Sequence, residues 1–579
     1  METTEILRGK PRINKKSVEK LYTIREQELA DRRRYETLWQ DIAGKINPSM
    51  ADWDDEPADS SGGPVPSYAD LYDNTAIRAS VRLADGIQGY AFSRGAPWMR
   101  LALEDEELMQ REDAKEWLQR AETHLYHKLN LSTFYEEGRT FVRCGGDFGT
   151  GVMFRQDDPV RGLPVYRVLH LKRVLLFESL AGEVDGLFRD LWLRPYEAAA
   201  LFGKEMLPQR IQDAYEQGST RRWAFQQFIF PLDKFDLDIE ARQTKGMPYY
   251  SLYVADAEHD HPIREGGYAV RPFFGWRWSR NADGGVWGAD APGMIEISNA
   301  KQANGMRKDL SRMRQLAGRT PLVATDGLRG RINLTPHGIT YIRPGEAFGP
   351  ALQPGKIESV AEDLKMIQES INESYYANLF LVLTQNLERI KTATEVEGIK
   401  GEQAALMTAF FGRLSNEFLE PGVEDLFRGE LETGRLPPLP RSLQGKELQV
   451  DLISPLAQLQ KRYLRLDTTR QWLNELLAVA TIQRKAGATD TVLDNIDFNE
   501  YARVTEELYH VDKRAVRDIL DVERMRAARA QLRAKMLQQQ MQTEGMKAGA
   551  QAYGAAVHAP EPGSPAEALV GPGGQGTPE

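Results

Sequence analysis

Two long helical patterns bracket a short β-prone insertion in the second half of the chain, and this order constrains the fold most. Met294 to Leu316 contains no proline and one internal glycine, Gly305. Ile357 to Leu383 places Val360, Leu364, Ile367, Ile371, Tyr375 and Leu379 at three- and four-residue steps, the period of one helix face. At about 1.5 Å of rise per residue, each helix is expected to be on the order of 35–40 Å long. Between them Pro321-Leu322-Val323, Ile332 to Leu334 and Ile339 to Ile342 are β-prone runs separated by Gly and Pro.

The residues before this module divide into a helical and a β-rich part. Arg12 to Ile46 reads as a charged amphipathic helix with Leu21, Ile24, Leu29, Leu38 and Ile42 as core contacts, stopped at Asn47-Pro48. An acidic Gly/Ser/Pro loop, Ala51 to Ser67, follows. Further helices are expected at Asp73 to Gln88 (Ala76, Ser80, Leu83, Ala84 and Ile87 on one side), Glu106 to Leu129 and Thr133 to Cys144. Short β-prone runs then appear at Val152 to Phe154, Val165 to Leu169, Val174 to Phe177, Leu187 to Leu193, Phe225 to Ile229 and Tyr249 to Val254. A helix at Pro195 to Phe202 interrupts them. The pattern predicts an α+β body with antiparallel pairing.

After the second long helix, Thr394 to Phe427 reads as helix and Val450 to Ile453 as a strand. Helices follow from Ala457 to Lys485 and from Lys513 to about Gln542. Gly545 to Glu579, rich in Gly, Ala and Pro, is expected to be disordered. The fold class expected is α+β and predominantly helical. At 579 residues the chain exceeds one hydrophobic core.

Charge and cysteine content narrow the function classes. Lys plus Arg number 74 against 84 Asp plus Glu, a net charge of −10, unlike a protein that grips nucleic acid chiefly by neutralising phosphates. A conduit along which DNA slides is better served by that balance than a clamp is. The single cysteine, Cys144, leaves no internal disulfide framework and no Cys-rich zinc site. No secretory signal is visible near Met1, and the longest apolar run falls far short of the roughly 20 residues that span a bilayer. A soluble, unexported chain without a membrane partner is expected.

Catalytic motifs are not evident. Gln444-Gly445-Lys446-Glu447 lacks the upstream glycine and the hydroxyl of a P-loop. Gly145 to Gly151 runs from helix into strand, the reverse of a dinucleotide site, and reads as a turn where backbones approach closely. Asp256, Glu258, His259, Asp260 and His261 read as a solvated hairpin tip, and His124 and His127 as ordinary helix residues. No metal, cofactor or enzymatic activity is expected. Lys301, Lys308 and Arg312 share one helix face, and spacing alone leaves a DNA-lining role and a plain solvated face both open.

Several local motifs, in order, resemble the head-to-tail connector (portal) family of short-tailed bacteriophages. They are Arg33-Arg34-Tyr35-Glu36-Thr37-Leu38-Trp39, Ile46-Asn47-Pro48, Asp73-Asn74-Thr75-Ala76, Leu83-Ala84-Asp85-Gly86-Ile87 and Ala96-Pro97-Trp98-Met99-Arg100-Leu101. They continue with Phe148-Gly149-Thr150-Gly151, Gly182 to Arg189, Trp287 to Pro292, Thr392 to Val396, Glu417, Pro421, Gly434 to Pro438 and Ile453 to Ala457. Met99 stands where the family typically has Phe.

The resemblance implies a ring, expected to be dodecameric, with wing, stem, clip and crown or barrel regions around a central channel. On that map residues 1–292 form the N-terminal part of the wing, 293–317 the first stem helix, 318–356 the clip and 357–383 the second stem helix. Residues 384–391 form a tunnel loop, 392–500 a wing helix and the start of the crown, 501–544 crown or barrel helices and 545–579 the tail. Arg389 and Lys391 become candidate DNA-channel charges with Lys301, Lys308 and Arg312. Arg329, Arg331, His337 and Arg343 become clip candidates facing terminase or adaptor. A ring repeats each such residue once per subunit, so one lysine becomes a belt.

The implied partners are further copies of the chain, the terminase large subunit, major capsid or scaffolding protein, a tail adaptor, internal core proteins and non-specific double-stranded DNA. The implied place is the portal vertex of the virion, with assembly in the host bacterial cytoplasm. Another virion component, such as a tail adaptor or internal scaffold, is the alternative; it suits the charged helices but not the stem–clip–stem order.

Overall fold

The computed structural model describes residues 13–54, 68–103, 111–158, 161–235, 237, 247–255, 262–282, 284–318, 322–324, 326, 343–345, 348–350, 357–377, 411–440, 443, 448–453, 472–483, 485, 496, 498, 501–502 and 519–557. Helix α1 (Lys15–Lys45) starts where the Asn14 side chain accepts the Ser17 N–H at 2.7 Å, and it ends just before Asn47-Pro48. Helix α2 (Thr75–Ala91) and strand β1 (Met99–Leu103) follow, then helices α3 (Glu112–Leu131) and α4 (Phe134–Phe148). Glu136 and Glu137 sit in the first turn of α4, favourable to its dipole, and Gly149 caps it with φ +81°.

The β body has two antiparallel sheets. Strands β2 (Thr150–Asp157) and β3 (Pro164–Val168) join β9 (Phe273–Arg277) in the order β3-β2-β9. Strands β4 (Val174–Glu178), β5 (Val184–Leu193), β6 (Trp223–Pro231), β7 (Tyr249–Ala255) and β8 (Pro262–Tyr268) pair in chain order. Alternation sorts the second sheet's side chains. Phe188, Phe228, Phe230, Leu252 and Val254 pack with Val18 and Leu21 of α1. Phe225, Tyr253 and Ala255 pack instead with α5 (Pro195–Phe202) and α6 (Gln209–Glu216).

A larger core joins α2, α3 and α4 to the helices that come later in the chain. Phe134 stacks on Trp98 at 6.0 Å and on Phe418 at 5.6 Å, and Phe418 also lies 4.6 Å from Phe141. Burying an aromatic of this size contributes about 1.5–3 kcal/mol. Phe418 belongs to a π-helical turn, Ser415–Leu419, leading into α9 (Glu420–Glu432). Strand β12 (Leu448–Leu452) returns to pair antiparallel with β1.

The two long helices are α7 (Pro292–Gly318) and α8 (Ile357–Ser374), with β10 (Leu322–Ala324) paired to β11 (Phe348–Pro350) between them. Ile297, Ala300, Ala303 and Leu310 of α7 and Leu364 and Ile371 of α8 are buried in the same core. A separate compact unit, residues 509–579, contains α10 (Ile519–Val557).

Several boundaries differ from expectation. Within the expected Ile357 to Leu383 helix the regular part runs to Ser374, and a turn at Tyr375 and Tyr376 (φ +53°) seats Tyr375 and Ala377 in the core before the chain is helical again at Ala377. Residues 378–383 lie outside the described ones. The third helix is continuous from Glu112, behind an extended Arg111, with residues 106–110 of the expected span outside the described ones; α9 runs to Glu432 instead of stopping at Phe427, and residues 394–410 of that expected helix also lie outside them. The segment from Gly545, expected to be disordered, is helical as far as Val557, where alanines favour the helix over its glycines. Strands β1, β8, β9 and β11 and the partnership of β1 with β12 were not anticipated, and the β-prone runs expected at Ile332 to Leu334 and Ile339 to Ile342 lie outside the described residues.

Candidate stem and its seat in the body

The outer ends of α7 and α8 meet at one buried carboxylate, Asp147. Its Oδ2 accepts from Asn47 Nδ2 at 2.9 Å and from Ser80 Oγ at 2.8 Å; its Oδ1 accepts from the Tyr375 hydroxyl at 3.1 Å. Arg143 Nε stands 3.6 Å away and donates to Ser80 Oγ at 3.0 Å. Burial pushes the Asp147 carboxyl above the usual range, opposed by Arg143 and by these donors, and it pushes the Tyr375 hydroxyl well up.

The start of α7 rests on the same point, because a Cβ added at Gly293 would lie 2.3 Å from the Asp147 carbonyl oxygen. Pro292, at the first position of α7, needs no N–H partner there. Glu296, almost fully buried, accepts from Ser374 Oγ at 2.6 Å and Asn299 Nδ2 at 2.8 Å, tying the two helices together. Since Gly293 and Tyr375 share one seat, α7 and α8 run antiparallel, and the β10–β11 pair sits between their other ends.

A strap from Tyr68 to Asn74 crosses both helices. Asn304 of α7 accepts the Tyr72 and Asp73 N–H groups at 2.6 and 3.2 Å and donates to the Asp70 carbonyl at 2.9 Å. Gln368 of α8 donates to Asp73 Oδ2 at 2.6 Å.

The strap bears on the cations expected to line a DNA path. Lys301 pairs with Asp41 of α1 at 2.6 Å, and Lys308 lies 5.2 Å from the centre of the Tyr72 ring. Arg312 is 3.9 Å from Asp309, both side chains about two-thirds exposed. The three do share a face, as their spacing indicates, but its body-proximal part is engaged by α1 and the strap. Arg343 is exposed in the segment before β11. Arg329, Arg331, His337, Arg389 and Lys391 lie outside the described residues, as does the Asp256 to His261 cluster.

A second polar centre anchors the segment that precedes α9. Arg277, 1% exposed, meets Glu417 of the π turn through its N–H (2.8 Å), Nε (3.2 Å) and Nη2 (2.7 Å). Its Nη1 donates to Glu178 at 3.0 Å, and Glu178 also takes Arg280. Sequence reading singled out Glu417 without a role and missed Asp147. The available signal for Asp147 was an acid inside the glycine-rich, apolar end of a helix, where only buried donors can hold it. His124 has a partner in Glu430 at 2.7 Å. Among the described residues no group of acidic, His and Cys side chains could hold a metal ion.

The family described as bacteriophage head to tail connecting protein matches residues 19–516. The portal protein of Salmonella phage epsilon15 is 25% identical over 538 residues, covering 89% of this chain and 92% of that protein. The probable portal protein of Bordetella phage BPP-1 is 25% identical over 452 residues, covering 77% and 79% respectively. A chain of a native gene transfer agent virion is similar at a TM-score of 0.32 and 11% identity, over 77% of this chain and 99% of that one. The chain belongs to the bacteriophage head-to-tail connecting protein family, a structural portal protein of the virion that joins capsid and tail.

Proposed function

We propose that about twelve copies of the chain close into a ring at one capsid vertex, with α7 and α8 as the stem around a DNA channel. The β10–β11 pair belongs to the clip, which docks the terminase large subunit during packaging and a tail adaptor afterwards. The body forms the wing, which meets capsid or scaffolding protein and internal core proteins, and α10 belongs to the crown. Assembly takes place in the host cytoplasm.

The observation that carries this reading is the antiparallel α7–α8 pair, seated at one end on Asp147 and connected at the other through the β10–β11 pair. Apolar side chains along this module are exposed in the single chain: Ile295, Leu316, Val323 and Met366 are 59%, 42%, 60% and 61% accessible. Neighbouring copies in a ring supply the cover that such side chains favour. Lys308, Arg312, Arg389 and Lys391 are the channel charges of this proposal. The acidic net charge of −10 keeps the DNA from being gripped along the whole path.

Native mass spectrometry of the purified protein, with negative-stain imaging of the same sample, tests the reading. A closed ring of about twelve copies with a central hole is expected. A monomer carrying a stoichiometric metal or nucleotide would contradict it.

A further inference from the structure

Residues 472–483 form a helix that is composed like a core segment and is not in a core. Trp472, Leu473, Leu476, Leu477, Val479 and Ile482 are apolar, and Glu475 is its one charged residue. Ala480 is 1% exposed, whereas Trp472, Leu477, Val479 and Ile482 are 45%, 42%, 43% and 66% exposed. A helix that is apolar nearly all round belongs in an interior or an interface. At about 100° per residue, Leu473 and Leu476 share the side of buried Ala480. Trp472, Val479 and Ile482 then fall to one side of that line and Leu477 to the other.

Charge, area and placement identify what covers these side chains. The helix carries no lysine or arginine, so it offers a nucleic-acid backbone nothing to pair with. Its exposed apolar side chains make a patch of a few hundred Å², the size at which apolar exposure marks an interaction site. That is well under the roughly 800 Å² per partner of a stable two-body complex. An occupant of this helix must therefore be held elsewhere on the chain as well. A second copy in a ring meets that condition, because the ring already brings copies together along α7 and α8. It also meets the two-sided placement. A head-to-tail ring gives every copy one neighbour on each side, whereas a two-fold dimer uses one patch against one partner.

We propose that this helix is a contact between adjacent copies of the chain, with Trp472, Val479 and Ile482 packed against one neighbour and Leu477 against the other. The contact rests on the ring of the proposed function and adds to it a surface outside α7 and α8.

Cys144, the single cysteine, is buried, so Ile482→Cys gives the full-length chain one exposed thiol, on this surface. The purified assembly of that variant, labelled with benzophenone-maleimide and irradiated, is expected to give covalent multimers at multiples of 65.5 kDa on a denaturing gel. The same sample dissociated in urea before irradiation is expected to give single chains. Val479→Glu with Ile482→Glu is expected to lower the fraction of chains in closed rings, read by native mass spectrometry, by about tenfold or more. Both positions are exposed, so the circular dichroism spectrum stays that of the wild type, and Ile482→Leu keeps the rings. Wild-type rings without crosslinks between copies, or rings of the double variant as abundant as the wild type's, overturn this contact and leave the ring reading standing. A wild type that stays a single chain overturns both. An adduct with another virion protein in assembled particles, with none between copies, assigns the helix to that partner and overturns the proposal.

Discussion

Replacing Glu417 by Gln removes the main counter-charge of a guanidinium that is 1% exposed. Arg277 makes three of its bonds to this carboxylate, at 2.7, 2.8 and 3.2 Å, and Arg413 stands 3.6 Å from it. Deleting one partner of a buried ion pair costs about 3–5 kcal/mol, because the remaining charge is left in a poorly solvating interior. Glu178 stays at 3.0 Å from Arg277, so the lower end of that range, about 3 kcal/mol, is expected. In native-state hydrogen exchange this appears as amides of β9 and of Ser415–Leu419 exchanging at least on the order of 10²-fold faster. The companion double variant, Arg277→Gln with Glu417→Gln, removes the buried guanidinium together with its carboxylate and is expected to recover part of the protection, Arg413 still lacking Glu417. Unchanged protection in Glu417→Gln, or a double variant worse than the sum of the singles, would refute the reasoning.

Four further outcomes follow from the same structure. Tyr375→Phe takes one donor from buried Asp147 and should cost about 1–3 kcal/mol, read as a lower unfolding temperature. Ile371→Asp, at a position with 0% exposure, should abolish soluble folded protein, whereas Ile371→Val should cost only about 0.5–1.5 kcal/mol. Burial raises the Asp425 carboxyl to about 6 against the opposing Arg271, Arg155 and Arg428. The folded state therefore binds that proton more tightly, and this stabilisation is present below about pH 4 and lost as pH rises through about 6. Asp425→Asn should flatten the decline, whose ceiling is about 3 kcal/mol before discounting for the residue's partial exposure; identical pH profiles would contradict this. Glu at both Arg389 and Lys391 should leave ring assembly intact and alter DNA packaging or retention, and failed assembly would show these residues to be structural.

Local periodicity made much of this fold legible. Leu364 and Ile371 fall on the buried face of α8, and the apolar residues predicted for α2, Ala76 to Ile87, are buried as expected. Six β-prone runs became β2 to β7 because alternation and flanking turns are local signals. What stayed hidden depends on partners distant in sequence. Met99 pairs with Leu452, and nothing near either residue names the other. The turn that interrupts the helix after Ser374 has no proline or glycine to announce it, and it coincides with Tyr375 donating to Asp147, 228 residues away. The α7 face shows the same limit: spacing aligned Lys301, Lys308 and Arg312, but only the fold reveals that Asp41 pairs with Lys301 and that the Tyr72 ring lies 5.2 Å from Lys308.

The central claim is that α7 and α8 line a channel through a closed ring. A cryo-electron microscopy reconstruction of the purified assembly tests it most directly. The account predicts about twelve copies around an open axis, with α7 and α8 forming the channel wall and the β10–β11 pair at one mouth. A ring whose axis is lined by the β4–β8 sheet, with α7 and α8 on its outer surface, would contradict it.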